Sequence, residues 1–396
     1  MAMALNPFFL PNPFSFPKTK SILISDHTFF PSYSNSTFHS KTNESKKELL
    51  VPRVASIPYQ PLNVDYLEEE FSGHGVTFQG IGDSCVAKMR LANRSTAILM
   101  LPSGLITSYK TAMWHGGTDE VLHSSVSEED NGDGRGGAVV RGGVSLALEF
   151  SSGDGVSWSP SNWTLRSIEG NSQDKIRVEL ISTDPGEKVE IKYIVTLKEA
   201  ELSSDFEISN SRSAPIQLTG CVLSHLRVST PDATYAIGLE RSNFFNRPPY
   251  LSSFSLLPPD FGQKKKSELS QMLDKMLIWQ PKNRNNGEET KSGKKESEEE
   301  MEGEETDNYK HLREEMSRIY TFAPRNVTVI DRGRRNSIIV GRKGFDELYM
   351  LSPGSDHEYY GKYSYISVGQ SAMIKPLVVG AEEVLRIGQD LYNPNL

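Results

Sequence analysis

The chain has 396 residues, with 43 lysines and arginines against 51 aspartates and glutamates, a formal net charge of −8. That length suits one large all-β domain or two ordinary ones, and the acidic balance gives no general drive toward nucleic acid. The two cysteines, Cys85 and Cys221, argue against a zinc ribbon, an iron–sulfur ligand set or a disulfide scaffold, and no apolar run reaches the roughly 18 residues of a membrane-spanning helix.

Residues 1–55 differ from the rest. The first acidic residue is Asp26, and Lys18 and Lys20 precede it among Pro, Phe, Ser and Thr. A hydroxyl-rich run, SYSNSTFHSKTNES, extends from Ser32 to Ser45. Few acids, many hydroxyls and scattered bases make up an organellar transit peptide, and the Ser-rich, Arg-poor composition points to the chloroplast. Processing is expected near Ala55–Ser56, within VPRVAS. Six bases against three acids in residues 1–55 leave −11 on residues 56–396.

From Val76 onward short apolar stretches alternate with Gly, Asn, Asp and Ser clusters, a strand-and-turn rhythm without helical periods between. Strands are expected at 85–91, 96–102, 104–110, 143–150, 164–170, 175–182 and 188–197. In the last of these Val189, Ile191, Tyr193 and Val195 share one face. Residues 113–137 carry His115, His123, Asp119, Glu120, Glu128, Glu129 and Asp133 in a Gly/Ser-rich stretch. No fixed ligand spacing suggests a metal, and a mobile surface loop is expected. Mid-chain, Leu223 to Glu240 reads LSHLRVSTPDATYAIGLE: a strand, a Pro-Asp turn and a second strand, expected as a core β-hairpin. A Pro- and Phe-rich loop follows at 241–262.

Residues 264–320 form an insertion. In 264–280, Leu269, Met272, Leu273, Met276 and Leu277 fall on one helical face, with Ser267 as N-cap. Residues 282–308 are an acidic, charged tract with almost no apolar side chain, expected to be disordered. A second helix is expected at 309–320, with Tyr309, Leu312, Met316 and Ile319 on one stripe. Strands resume at 326–333, 337–344, 347–354, 363–370, 373–380 and 383–390.

Four motifs stand in order: GLITSYK (104–110), VRGGVS (140–145), the mid-chain strand, and YISVGQSAMIKPLVVGAEEVLRIGQDL (365–391). Together they resemble the galactose mutarotase and hexose-6-phosphate epimerase superfamily, over residues 75–260 and 320–392. The resemblance implies an all-β fold: a large, distorted antiparallel β-sandwich, the mutarotase-like supersandwich, interrupted by a helical, partly disordered insertion. Mutarotation needs a carboxylate to take the anomeric proton and an imidazolium to protonate the ring oxygen. Aligned on Val228-Ser229, the histidine's place holds Leu223, and the glutamate's place holds Gly369. His225 lies two residues along the same strand face, ~7 Å from the family position. Asp154 and Trp158 replace a histidine and an arginine that meet sugar hydroxyls. Arg141 matches the family's site arginine, although Arg141-Gly142-Gly143 also reads as a tight turn. The expectation is a protein with no catalytic, cofactor-binding or metal-binding residues. The alternatives are an active plastid hexose-phosphate mutarotase using displaced groups such as His225 and Glu358, or a carbohydrate-binding module.

The transit-type leader, the depleted mutarotase-like body and the charged insertion together resemble the photosynthetic NDH subunits of subcomplex B. These belong to the chloroplast NAD(P)H dehydrogenase-like (NDH) complex. That resemblance implies a structural subunit without a redox centre or cofactor, peripheral on the stromal side of the thylakoid membrane. Its partners would be other NDH subunits and, indirectly, the photosystem I supercomplex, with no nucleic acid.

Overall fold

Alternating burial along single strands builds two antiparallel sheets. The strand Val189–Leu197 buries Val189, Ile191, Tyr193, Val195 and Leu197 and leaves the residues between them half-exposed. A computed structural model of the protein describes residues 63–81, 84–129, 137–153, 155, 157–262, 302–355 and 360–395. All of them lie within one unit, Tyr59–Leu396. The leader 1–55, the expected helix 264–280 and residues 282–301 lie outside the described residues.

Among the described residues, thirteen strands form one sheet and nine form the other. The larger sheet has Ile216–Arg227 at its middle, flanked by Val144–Ser152 and Tyr365–Val379. The smaller sheet centres on Glu201–Asn210 and Val384–Tyr392. The main core draws on both, with Val222, Ile366 and Val368 from the larger sheet and Ile191, Phe206 and Ile387 from the smaller. Tyr193 and Phe206 stack at 4.6 Å within it, and Gln389 Nε2 of the smaller sheet donates to Ser224 Oγ of the larger at 2.5 Å. Each aliphatic side chain buried there contributes about 1.5–3 kcal/mol. The one described α-helix, Val64–Glu70, is capped by Asn63 and lies against the edge strand Val76–Ile81, where the Glu68 carboxylate accepts from the Phe78 amide at 2.6 Å. No described helix is long and apolar enough to cross a membrane.

Five expectations are corrected. Residues 309–320 are not a helix. Tyr309–His311 pairs with Thr234–Ile237 in the smaller sheet, and Met316–Thr321 pairs with Asn243–Asn246 and Glu347–Ser352 in the larger. Ile319 and Tyr320 are adjacent and both buried, one in each apolar cluster. A strand covered on both faces loses its alternation, and the helical spacing of Tyr309, Leu312, Met316 and Ile319 is coincidental. Within the acidic tract, Glu302–Glu304 is an edge strand paired with Asn243–Phe245. Just after it the buried Glu305 carboxylate accepts from Arg318 at 2.9 Å and Tyr320 OH at 3.2 Å, with Lys310 Nζ at 3.5 Å. Two cations and a phenol anchor this end of a tract whose composition reads as unstructured.

Leu223–Glu240 is not a hairpin. Its first strand belongs to the larger sheet and Thr234–Ile237 to the smaller, and a 3₁₀ turn at Pro231–Ala233 carries the chain between them. Pro231 presets φ at the corner, and Thr230 caps the turn by accepting from the Asp232 amide at 3.3 Å. Residues 113–137 are not an open loop either, since Thr118–Glu120 pairs with Ile106–Ala112 and Ser124–Glu129 pairs with Gly137–Gly142 in a two-stranded ribbon. The two strands expected at 363–370 and 373–380 are one, Tyr365–Val379.

Glu305→Ala removes the acceptor shared by Arg318, Tyr320 and Lys310. It is expected to lower unfolding stability by about 1–3 kcal/mol in urea denaturation, whereas exposed Glu304→Ala stays within about 0.5 kcal/mol.

Candidate functional site

The two positions that the sequence resemblance assigns to an acid and a base, 223 and 369, stand opposite each other on neighbouring strands. Leu223 on Ile216–Arg227 is the register partner of Gly369 on Tyr365–Val379. The approach of the two strands leaves no room at residue 369: a Cβ there would collide with the Val222 carbonyl oxygen and come within 2.9 Å of Gln389 Oε1. A glutamate cannot be accommodated without displacing a central strand.

Leu223 is itself buried, in an apolar cluster on the side of the larger sheet away from the main core. Cys221, Leu256, Ile319, Tyr349, Leu351, Tyr363 and Tyr365 complete it. The Pro- and Phe-rich loop covers the cluster with Leu256, Tyr250, Leu257 and Phe261. Main-chain bonds tie this loop down. Tyr365 OH donates to the Leu256 carbonyl, the Tyr250 amide to Tyr349 OH at 3.3 Å, and the Gly142 amide to the Phe254 carbonyl at 2.9 Å. Leu223 is therefore covered by the chain's own residues, and residue 369 is buried.

His225 is buried, and its Nδ1 lies 3.0 Å from the Gly143 carbonyl oxygen, a pairing that requires the proton on Nδ1. Burial first, opposed by the Gly143 bond and assisted by nearby His123, lowers its pKa to about 4. The ring packs against Tyr365 at 5.4 Å, and His123 stacks on the same phenol at 5.5 Å. His123 Nε2 is 2.9 Å from the Lys362 carbonyl oxygen, and burial also pushes its pKa down. Burial favours the neutral form of both imidazoles, which pack against Tyr365.

The remaining site positions are scattered. Arg141 is half-buried and opposes Ser125 in the ribbon. Gly142 and Gly143 adopt φ +90° and +65°, and a Cβ at Gly143 would strike the Ile106 carbonyl oxygen. The glycines there serve the tight turn. Trp158 packs on Phe150 at 5.5 Å, beside a cavity of about 120 Å³ whose lining includes the Asp184–Arg212 ion pair but neither Leu223 nor Gly369. Asp154 and Glu358 lie outside the described residues. Among the described residues no group of three or more His, Cys, Asp or Glu side chains could hold a metal ion.

Two larger cavities had no signal in the sequence. One, of about 570 Å³, is lined by Thr107, Ser108, Glu120, His123, Arg227 and Arg334 among others. Burial raises the pKa of its Glu120, opposed by bonds from Ser108 Oγ at 2.6 Å and the Tyr109 amide at 2.9 Å. The other, of about 640 Å³, lies beside Phe322, Arg342 and Phe345. Each is assembled from separated segments, so no local motif marks it.

No protein-family model matches the chain. It is 42% identical over 386 residues to the Arabidopsis thaliana protein NDH-dependent cyclic electron flow 5, covering 96% of each chain. The chain belongs to that protein's family. Among solved structures, the mutarotase-type protein YeaD from Salmonella typhimurium aligns with a TM-score of 0.54 at 12% identity, over 81% of this chain and 94% of that one. The protein HI1317 aligns with a TM-score of 0.50, also at 12% identity, over 81% of this chain and 96% of its own. At that identity the likeness is one of fold: the family is built on the galactose mutarotase-like sandwich.

The folded pKa of His225, about 4, lies below the ~6.5 of an unfolded histidine. Its contribution to stability is thus fully present above pH ~6.5 and is lost as pH falls from there toward 4, because the unfolded chain takes up the proton first. Between pH 7 and 5 the wild-type chain is expected to lose about 2 kcal/mol more than His225→Phe, measured by urea unfolding at both pH values.

Proposed function

We propose that the chain is a non-catalytic structural subunit of the chloroplast NDH complex, supporting the assembly or stability of that complex and cyclic electron flow around photosystem I. The observation that carries this reading is the 42% identity, over 96% of both chains, to NDH-dependent cyclic electron flow 5 of Arabidopsis thaliana. The geometry at Leu223 and Gly369 supports the non-catalytic part. Neither residue transfers protons, Leu223 is buried in the same apolar cluster as Leu256, and a side chain at residue 369 has no space.

The leader composition supports import into the chloroplast. Attachment to the stromal side of the thylakoid would come from neighbouring subunits of subcomplex B rather than from a span of this chain, and photosystem I would be reached only through the assembled complex. Restraint of partners by a large protein surface is the function such a fold performs without chemistry.

Fractionation of thylakoids on native gels tests the reading. The protein is expected to co-migrate with the NDH complex, and its loss to abolish the post-illumination rise in chlorophyll fluorescence. A free stromal monomer would contradict it.

A further inference from the structure

The cavity of about 570 Å³ has the size of a small-molecule site. Its lining includes none of Leu223, Gly369, Arg141 and Trp158, so it is distinct from the positions that the sequence resemblance marks for sugar. The acids at its wall are already taken. Glu120 accepts from Ser108 Oγ at 2.6 Å and from the amides of Tyr109 at 2.9 Å and Leu122 at 3.3 Å. Asp119, behind the wall, accepts from Arg334 and from Asn336 Nδ2 at 2.8 Å. Asp331 accepts from the Ser229 amide at 2.6 Å, the Gly333 amide at 2.9 Å and the Arg334 amide at 3.2 Å. Donors at the wall are not taken in the same way. The main chain of Arg227 is used, its amide by the Val121 carbonyl at 2.8 Å and its carbonyl by Arg334 Nη1 at 2.8 Å. Its guanidinium is exposed and makes no hydrogen bond or ion pair with a described residue. The Ser124 hydroxyl, also exposed on the lining, is equally uncommitted among the described residues. The Arg227 charge bears on His123, another lining residue, rather than on Glu120, which feels Lys110 instead. A cation with five free N–H groups at a concave wall, with every nearby carboxylate saturated, attracts an acceptor from outside.

We propose that this cavity binds a small organic anion through an oxyanion group, a carboxylate or a phosphate. The oxyanion accepts a forked pair of hydrogen bonds from Arg227, the geometry that a guanidinium offers to planar carboxylates and to phosphate alike. Ser124 Oγ supplies a further donor. The volume exceeds what one inorganic ion fills, and leaves room for a carbon skeleton beside Thr107 and Ser108. Arg227 ends a strand of the larger sheet and Arg334 lies in the turn between two strands of the smaller, so a bound ligand touches both sheets and stabilises the folded chain. The inference stands apart from the proposed function: a ligand site and a structural role in a complex neither require nor exclude each other.

The test is calorimetric titration of the full chain with malate, with 3-phosphoglycerate and with inorganic phosphate, and with glycerol as the uncharged control. Saturable binding of at least one of the three anions to a single site is expected, with none of glycerol, and the bound anion is expected to raise the melting temperature. The tightest of the three assigns the group: malate a carboxylate, inorganic phosphate a phosphate, and 3-phosphoglycerate an anion that presents both. Arg227 is exposed and unpaired, so Arg227→Gln keeps the fold, and it is expected to weaken the anion about tenfold or more and to remove the thermal shift. Arg335→Gln, an exposed arginine outside the lining, is expected to leave both unchanged. No saturable binding of any of the three anions up to on the order of 10 mM overturns the proposal. So does binding of equal strength in Arg227→Gln, and so does glycerol binding as tightly as the anions. Each of these leaves the proposed function standing.

Discussion

The close approach of two central strands, Ile216–Arg227 and Tyr365–Val379, governs the rest of the structure. Their contact is tight enough at Leu223 and Gly369 that only glycine fits at 369. It also leaves Gly220 through Leu226 buried without a break, so that the strand faces the main core on one side and a second apolar cluster on the other. A strand buried on both faces is an expensive place for a charge and a cheap place for Leu, Val and Cys. The mutarotation chemistry that the sequence resemblance would imply for this strand pair needs two ionisable groups and an open cleft. At Leu223 the strand carries apolar packing, with the Pro- and Phe-rich loop over that cluster.

The loop is the second half of that constraint. Leu256 is buried in the same apolar cluster as Leu223, and Tyr349 and Tyr365 turn their hydroxyls to the loop's main chain. Two phenols and two imidazoles line a region that would otherwise be wet, and burial holds both histidines neutral. Catalytic His would gain from a pKa near neutrality, and His225 at about 4 lies well below it. That suits a member of a family named for its part in cyclic electron flow in Arabidopsis thaliana. The groove beside Phe322 sits on the opposite flank of the sheet order from Val76–Ile81.

Legibility in the sequence followed burial. Strands with one face in the core, such as Val189–Leu197 and Asn326–Asp331, announce themselves by period-two alternation. Met316–Thr321 is covered on both sides and does not, and the apolar residues around it happened to fall at helical spacing. The Pro-Asp corner at 231–232 was readable as a turn. Its role in passing the chain from one sheet to the other depends on long-range pairing that no local signal carries. At the site, the ordered motifs singled out Leu223 and Gly369, which the fold pairs on adjacent strands, while the reason for the glycine, the Val222 carbonyl against residue 369, belongs to tertiary geometry. The groove beside Arg342 brings together residues from 243 to 375 and left no trace in sequence.

The central claim is that the sandwich has kept its fold and closed its chemistry. Polarimetric or NMR measurement of glucose 6-phosphate mutarotation by the purified mature chain addresses it directly. The expected result is a rate no faster than that in buffer alone at any protein concentration. Saturable acceleration that disappears in His225→Ala would contradict it, because proton transfer would then run through an imidazole assigned here to packing.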